Sequence, residues 1–377
     1  MPTEQPMRPQ RRVLVWRSAL LPSTETFVRH QAQAYPTWDA HLLGSVRVAS
    51  PIADPGDDVL HGTSPIERVR AALFHRTGIS RRLTREIARL RPDVIHAHFA
   101  RDAAMIRRHA RRAGIPFVVT VHGIDVTTWP REPGLAGLVY RARLARVLRD
   151  AAAVVAVSQY ARTEAVSRGA DPDRVSVLPV GIPIATSAPA ADLVYDVAFV
   201  GRLIEQKGVL DLFDALAEIA AHGRSVRTVV VGDGPLRADL ERIARVHGLD
   251  VHFTGALPPH AVAETLRTAR IFVAPSRANA RGGREAFGLV FLEAALAGLP
   301  AIAYASGGVP EAVVDGETGV LVPEGDAAAL TAALAALLDD PERAAELGAR
   351  GRARVIATFD VAEGAAALEA LYGTLIG

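Results

Sequence analysis

One lysine stands among the 43 basic side chains of this 377-residue sequence: Lys207, in the stretch FVGRLIEQKGVLDL, five residues beyond Arg202. Arg202 ends a Val-rich strand pattern, and Lys207 with Gly208 opens the helical pattern that follows. Both cations therefore belong at the carboxyl edge of a sheet. A compact ammonium and a planar guanidinium placed together there suit a diphosphate, and the two are not interchangeable at a phosphate. The densest group of chemistry-bearing residues lies further on, in GGREAFGLVFLEAALAGLPAIAYASGGVPEAVVDGETGVLVP (282–323). Glu285 precedes a helix expected to begin around Phe287–Val290, and Glu293 lies eight residues on, about two turns into it. Gly288 lets another group approach the backbone closely, and the free N–H groups of Phe287–Leu289 at a helix start favour an anion such as phosphate. Two carboxylates beside an anion site are not an obvious metal cage. They are suited to accept hydrogen bonds from neutral hydroxyls, as on a sugar or a ribose.

Each residue alone has an ordinary reading: Lys207 as a surface lysine, Glu293 as an exposed helix residue, Glu285 as an acid welcomed by a helix dipole. Their convergence on one sheet edge lifts them above it. His122 closes the strand pattern PFVVTVHG (116–123) and is followed by Gly-Ile-Asp. Polar groups at strand carboxyl ends face the ligand crevice of open α/β sheets, which makes His122 a functional candidate and His98 and Asp125 weaker ones. A histidine in such a place is also often structural. His96 and His98 alternate along DVIHAHF (93–99) and are expected on opposite faces, which argues against a zinc pair. VVVGDGPL (229–236) contains no G-x-G-x-x-G and reads as a strand-to-helix turn.

The elements that must position these groups alternate short Val/Ile-rich runs with helical segments, the pattern of parallel α/β sheets. Expected strands are 12–16, 40–45, 93–99, 116–123, 152–158 and 174–181, then, after a loose Pro/Ala-rich linker at 182–196, 197–202, 227–234, 251–255, 271–276, 300–306 and 319–323. This makes two doubly wound, Rossmann-like units with the natural ligand site in the cleft between them. The expected boundaries are 1–188, 189–357, and a final helix, 358–377, crossing back to the first unit.

Composition narrows the chemistry. The chain has no cysteine, which removes disulfides, thiolate metal sites and thiol catalysis. The Arg- and Ala-rich, Lys-poor bias points to a GC-rich bacterial source. Apolar runs such as 327–337 are shorter than the roughly 18–20 residues of a membrane span, and MPTEQPMRPQRR lacks a signal-peptide core, so a cytoplasmic protein is expected. Residues 1–190 carry 27 basic and 16 acidic side chains, a net of +11, and residues 191–377 a net of −9. Two halves of opposite sign suggest different partners. The basic helices at 66–92 and 107–114 suit anionic lipid or a phosphorylated acceptor, with a solvated Arg-rich surface as the plainer reading.

Taken together, VGRLIEQKG, VVVGDGPL, EAFGLVFLEAALAGLPAIA and GGVPEAVVDGETGVLV resemble the retaining nucleotide-sugar glycosyltransferases of family 4, of GT-B fold, and Glu285 and Glu293 match that family's E-x7-E motif. The first half is similar more loosely, through DVIHAHF, TVHGIDV, AVSQYAR and VLPVGI, and LPSTETFV (21–28) is similar to a segment of exopolysaccharide-type members. The resemblance implies that Arg202 and Lys207 bind the donor diphosphate, Glu293 the ribose hydroxyls, and the backbone of Phe287, Gly288 and Leu289 the distal phosphate and sugar. It places Glu285 at the donor sugar and His122 beneath it near the reacting carbon. Ser23 and Thr24 would approach the phosphates from the first domain, although the paired glycines of many relatives are missing from that loop. His98 and Asp125 are the acceptor-side candidates. The implied activity is a metal-independent, hexosyltransferase-type transfer, with no cofactor beyond the UDP-, GDP- or other nucleoside-diphosphate sugar. The hydroxylated acceptor is expected in exopolysaccharide or lipid-linked glycan assembly, or else to be a small natural product such as an aminoglycoside. No nucleic-acid partner is expected; peripheral membrane contact through the basic first domain is. An epimerase or phosphorylase of the same fold and a sugar-nucleotide-binding scaffold without turnover are the competing classes.

Overall fold

The computed structural model describes residues 10–22, 25–50, 52, 54, 56–184 and 193–377. Among these, two parallel sheets form. The first contains β1 (Arg12–Leu20), β2 (Asp39–Arg47), β3 (Asp58–His61), β4 (Val94–His98), β5 (Phe117–Val121), β6 (Ala153–Ala156) and β7 (Val175–Val177), in the spatial order β3-β2-β1-β4-β5-β6-β7. The second contains β8 (Tyr195–Val200), β9 (Thr228–Val231), β10 (Val251–Gly255), β11 (Ala269–Val273), β12 (Ala301–Tyr304) and β13 (Gly319–Val322), in the order β10-β9-β8-β11-β12-β13. Every pairing is parallel, with Val13 opposite Val94 and Val197 opposite Ile271, for example. The strand order reverses at β1/β4 and at β8/β11, and the crevice outside such a switch point is where open α/β sheets bind ligands.

The strands are apolar because helices cover both sheet faces. All five residues of β4 and of β5 are buried, which is why they read as near-continuous hydrophobic runs. Twelve of the strands coincide with the expected runs. The thirteenth, β3, is a four-residue edge strand, DVLH, and its Asp and His conceal it. One apolar cluster fills the first domain and continues across the seam through Ala286, Phe287, Phe359 and Tyr372; a second, built on alternate residues such as Val197, Phe199, Ile271 and Val273, lies within the second domain.

The chain crosses between the domains twice, and the crossings touch. Ile182 N–H donates to the Phe359 carbonyl at 2.9 Å, Val361 N–H donates to the Ile182 carbonyl at 3.1 Å, and Ile182 bridges to Asp360 as in a parallel sheet. The final helix, Val361–Ile376, then lies on the first domain. Glu369 accepts from the Thr37 and Trp38 backbone amides, both at 2.8 Å, and the Tyr372 hydroxyl lies 2.8 Å from Tyr35 Oη and 2.5 Å from His96 Nδ1. No helix among the described residues is long and apolar enough to cross a membrane.

Candidate active site

The second-domain wall of the cleft starts where β8 ends. The chain makes a one-turn 3-10 helix, Glu205–Lys207, before the helix Val209–Ala221, and this turn aims Lys207 at Glu285, with which it forms an ion pair. Burial works to raise the Glu285 pKa, but the Lys207 charge and hydrogen bond, the Ala286 N–H and the Arg202 charge outweigh it, and the carboxyl is held below its ordinary value. The carbonyl of Glu285 accepts from Gly308 N–H at 2.9 Å, which fixes the loop against the GGVPEAV segment. Gly288 then caps the helix Leu289–Leu296 with φ of 90°, a conformation natural only to glycine. No side chain caps this helix; Phe291 N–H is taken by the Gly288 carbonyl at 3.0 Å, and the amides of Leu289 and Val290 are left for a ligand. Arg202, Lys207, Glu285, Phe287, Gly288 and Leu289 all line a cleft of about 570 Å³. Glu293 lies one turn beyond Leu289 on the same helix face and is not among the lining residues. Half-buried and without a hydrogen-bond or ion-pair partner among the described residues, it has its pKa pushed up to about 7 by burial.

His122 faces this wall from the first domain. Its ring packs against Phe27 and Phe99, with centroids at 4.8 and 4.4 Å, and its Nε2 lies 3.1 Å from His98 Nδ1. Burial, then the charge of Arg17, then His96 hold its pKa well below the usual histidine value, so it is neutral near pH 7.

Three expectations need correction. His96 and His98 share a face, because two residues are one full strand period, and their rings stack at 4.6 Å. His98 does not reach the cleft: it is 1% exposed, layered between His96 and His122. Asp125 is wholly buried, and its carboxylate accepts from Ala100 N–H and His122 N–H, each at 3.0 Å. Its place is beneath the His122 loop, which it ties to the helix Ala100–Ala113, and not on the acceptor side. Ser23 and Thr24 lie outside the described residues. Among the described residues no group of three or more His, Asp or Glu side chains is arranged to hold a metal ion.

A polar network absent from the sequence expectations lines the first-domain side. Arg17 donates to both Glu25 oxygens at 2.8 and 2.6 Å, pairs with Asp102, and lies over the Phe99 ring at 4.5 Å. Ser18 donates to Asp102 through its N–H at 2.6 Å and its hydroxyl at 2.7 Å. Burial raises the Glu25 pKa against the pull of Arg17. The signal available was a charged residue continuing the apolar strand RVLVW, together with the glutamate inside LPSTETFV.

The two walls touch at their base. Gly123 has φ of 104°, and a Cβ there would sit 2.2 Å from Ala286 Cβ. Asn279 Nδ2 donates to Thr128 Oγ1 at 3.1 Å, Arg131 donates to the Gly282 carbonyl at 3.1 Å, and Glu311 reaches across to accept from the Gln159 and Tyr160 amides at 2.7 and 3.0 Å.

The matches to known proteins divide at the same seam. Residues 25–186 match Glycosyltransferase Family 4 and residues 190–354 match Glycosyl transferases group 1. The GDP-mannose-dependent alpha-(1-6)-phosphatidylinositol monomannoside mannosyltransferase of Mycolicibacterium smegmatis is 34% identical over 269 residues, 67% of this chain and 69% of the relative. The chain belongs to glycosyltransferase family 4. Another similar protein, the alpha-maltose-1-phosphate synthase of the same organism, is 31% identical over 351 residues, 85% of this chain and 86% of the relative. Among solved structures, Anabaena Alr3699/HepE in complex with UDP and glucose superimposes with a TM-score of 0.76 at 20% identity, over 96% of this chain and 99% of that one. This family 4 glycosyltransferase thus has the GT-B fold, with the candidate residues Arg202, Lys207, Glu285 and His122 lining the cleft between two Rossmann-like domains.

Proposed function

We propose that this glycosyltransferase moves a sugar from a nucleoside-diphosphate sugar to a hydroxylated acceptor with retention of anomeric configuration, in exopolysaccharide or lipid-linked glycan assembly. The observation that carries the reading is the Lys207–Glu285 pair, set beside Arg202 and the uncapped helix at Gly288, directly across the cleft from a neutral His122. The ammonium, the guanidinium and the helix amides offer three sources of positive character for a diphosphate, enough to stabilise the leaving group without a metal ion. Glu285, kept ionised, accepts hydroxyls of the donor sugar. His122 supplies a neutral ring nitrogen beneath it, and Glu293 serves the ribose. In the transfer the acceptor oxygen bonds to the anomeric carbon on the face the diphosphate leaves, the bond from that carbon to the phosphate oxygen breaks, and the acceptor proton passes to the departing diphosphate. The protein's part is positioning and charge stabilisation. The GDP-mannose dependence of the mycolicibacterial mannosyltransferase and the UDP and glucose bound by the Anabaena protein support a nucleotide-sugar donor.

The test is a panel of UDP-, GDP-, ADP- and dTDP-sugars read by melting temperature, donor turnover and product anomer, with and without chelator. Lys207→Ala removes one charge-assisted hydrogen bond to phosphate, worth about 1.5–3 kcal/mol, so donor affinity is expected to fall by roughly 10- to 100-fold. Unchanged affinity in that variant, or inversion of the product anomer, would defeat the proposal.

A further inference from the structure

A second pocket opens on the outer side of Trp129, between the helices Pro65–Thr77, Ala100–Ala113 and Gly134–Asp150, with a volume of about 530 Å³. Arg76, Arg101, Arg143 and Arg146 line it, and none of the four has a carboxylate partner among the described residues. The other lining arginine, Arg107, is paired with Asp150, and the one lining acid, Glu132, is engaged by Arg281 at 3.2 Å. Arg143 donates to the Arg76 carbonyl at 2.8 Å, so these two elements are joined at the pocket. Four uncompensated guanidinium groups around one concavity repel one another and concentrate a positive field there; an anion relieves both effects. The floor is apolar, with Ala104, Met105 and Leu144.

The pocket borders the catalytic cleft. Arg101 and Trp129 line both, with the Arg101 guanidinium 5.9 Å from the Trp129 ring. Tyr140, on the pocket wall, donates its hydroxyl to the Asp125 carbonyl at 2.7 Å, directly beneath the loop that carries His122. A molecule whose anionic group sits in the pocket has the catalytic cleft on the other side of Arg101 and Trp129. On the helix that carries Arg76, Ile66, Val69 and Leu73 are 59%, 67% and 61% exposed and follow the helical spacing that leads to Arg76. An apolar border beside arginines is the arrangement of an interfacial helix.

We propose that this pocket holds a phosphate group of the acceptor. The proposal rests on the glycosyl-transfer reading and adds the acceptor's chemical class: a phosphate ester, either water-soluble or at the head of a lipid. Two probes separate these sources, glycerol 3-phosphate in solution and phosphatidylcholine vesicles with and without phosphatidic acid. Binding to the full-length protein is measured for the wild type, for Arg76→Ala/Arg143→Ala/Arg146→Ala, and for Arg108→Ala/Arg111→Ala/Arg112→Ala. The last set removes the same charge from exposed positions outside the pocket. The expected result is at least about a tenfold loss of affinity in the pocket variant and little change in the other, the lost interactions being charge-assisted hydrogen bonds. Loss confined to the vesicles assigns a lipid phosphate, and loss extending to glycerol 3-phosphate assigns the phosphate itself. Equal losses in both variants, no loss in the pocket variant, or no wild-type binding of either probe overturns the proposal. The melting shift with nucleoside diphosphate is followed in parallel and is expected to be the same in all three proteins. Its absence throughout would sink the donor reading while leaving the pocket result standing.

Discussion

Gly123→Ala is the sharpest probe of how the domains meet. Gly123 adopts φ of 104°, where an alanine is strained by about 1–3 kcal/mol. Its new Cβ would also lie 2.2 Å from Ala286 Cβ, against ordinary carbon–carbon contacts of about 3.5–4.0 Å, so the seam must open by about 1.5 Å. The strain predicts a melting temperature lower by about 2–12 °C, at about 2–4 °C per kcal/mol for domains of this size. The opening predicts a fall in kcat of about 100-fold, the scale of a displacement of about 1 Å at a reacting centre. Donor affinity is expected to change little, because most of the proposed donor contacts (Arg202, Lys207, Glu285, Glu293 and the helix at Gly288) belong to the second domain. The double variant Gly123→Ala/Ala286→Gly separates the two effects. Its nearest contact becomes the residue-286 Cα at 3.4 Å, which is tolerable, so kcat is expected to recover while the melting temperature stays low. Differential scanning fluorimetry, donor titration and steady-state transfer rates read all three quantities. Full kcat in the single variant, or no recovery in the double, refutes the reasoning that closure at this contact gates the chemistry.

Glu293, pushed up to about 7, is expected to make donor affinity rise as pH increases through that value, since the ionised carboxylate is the form that accepts hydroxyls. Titration with an intact nucleotide sugar should show this slope and Glu293→Gln should flatten it; a slope surviving in the variant rules the residue out. Asp125, whose pKa burial raises to about 6, contributes stability that is full below the ordinary carboxylate pKa and lost as pH rises through 6. The stability gap between wild type and Asp125→Asn should therefore narrow by up to about 3 kcal/mol between about pH 4 and pH 7, as denaturant titrations at both pH values can show. Glu311→Ala removes both hydrogen bonds to the start of the helix Gln159–Ser167, at a cost of about 1–2 kcal/mol by analogy with helix caps. Hydrogen exchange at Gln159 and Tyr160 is expected to accelerate; unaltered protection would mean that Ser158, which also caps this helix, suffices.

The second domain is the more legible of the two in the sequence because its chemistry is local to strand ends. Lys207 follows β8 directly, Glu285 precedes the helix at Gly288, and strand periodicity is enough to bring both to one sheet edge. The first domain hides its site in pairings between distant residues. Arg17 and Asp102 are 85 residues apart, and the contact of Gly123 with Ala286 joins two domains, so neither local spacing nor residue type announces them. Asp125 shows the converse. A carboxylate after a strand looks like a ligand group, yet two backbone amides claim it, and only the three-dimensional closure of the His122 loop reveals that. The basic helices declare their charge in sequence, but not that five arginines share one concavity or that Arg101 belongs to two.

The paired crossing at Ile182 and Asp360 has a mechanical consequence. A single linker would leave two bodies free to swing, twist and slide. Two covalent strands stitched side by side by the Ile182 backbone act as one axle, leaving rotation about their common line as the soft mode. The helix Val361–Ile376 makes that axle asymmetric, since it is continuous with the second domain's chain but seated on the first through Glu369 and Tyr372. Any rotation about this axle is thereby felt beside His96, in the same histidine stack that ends at His122.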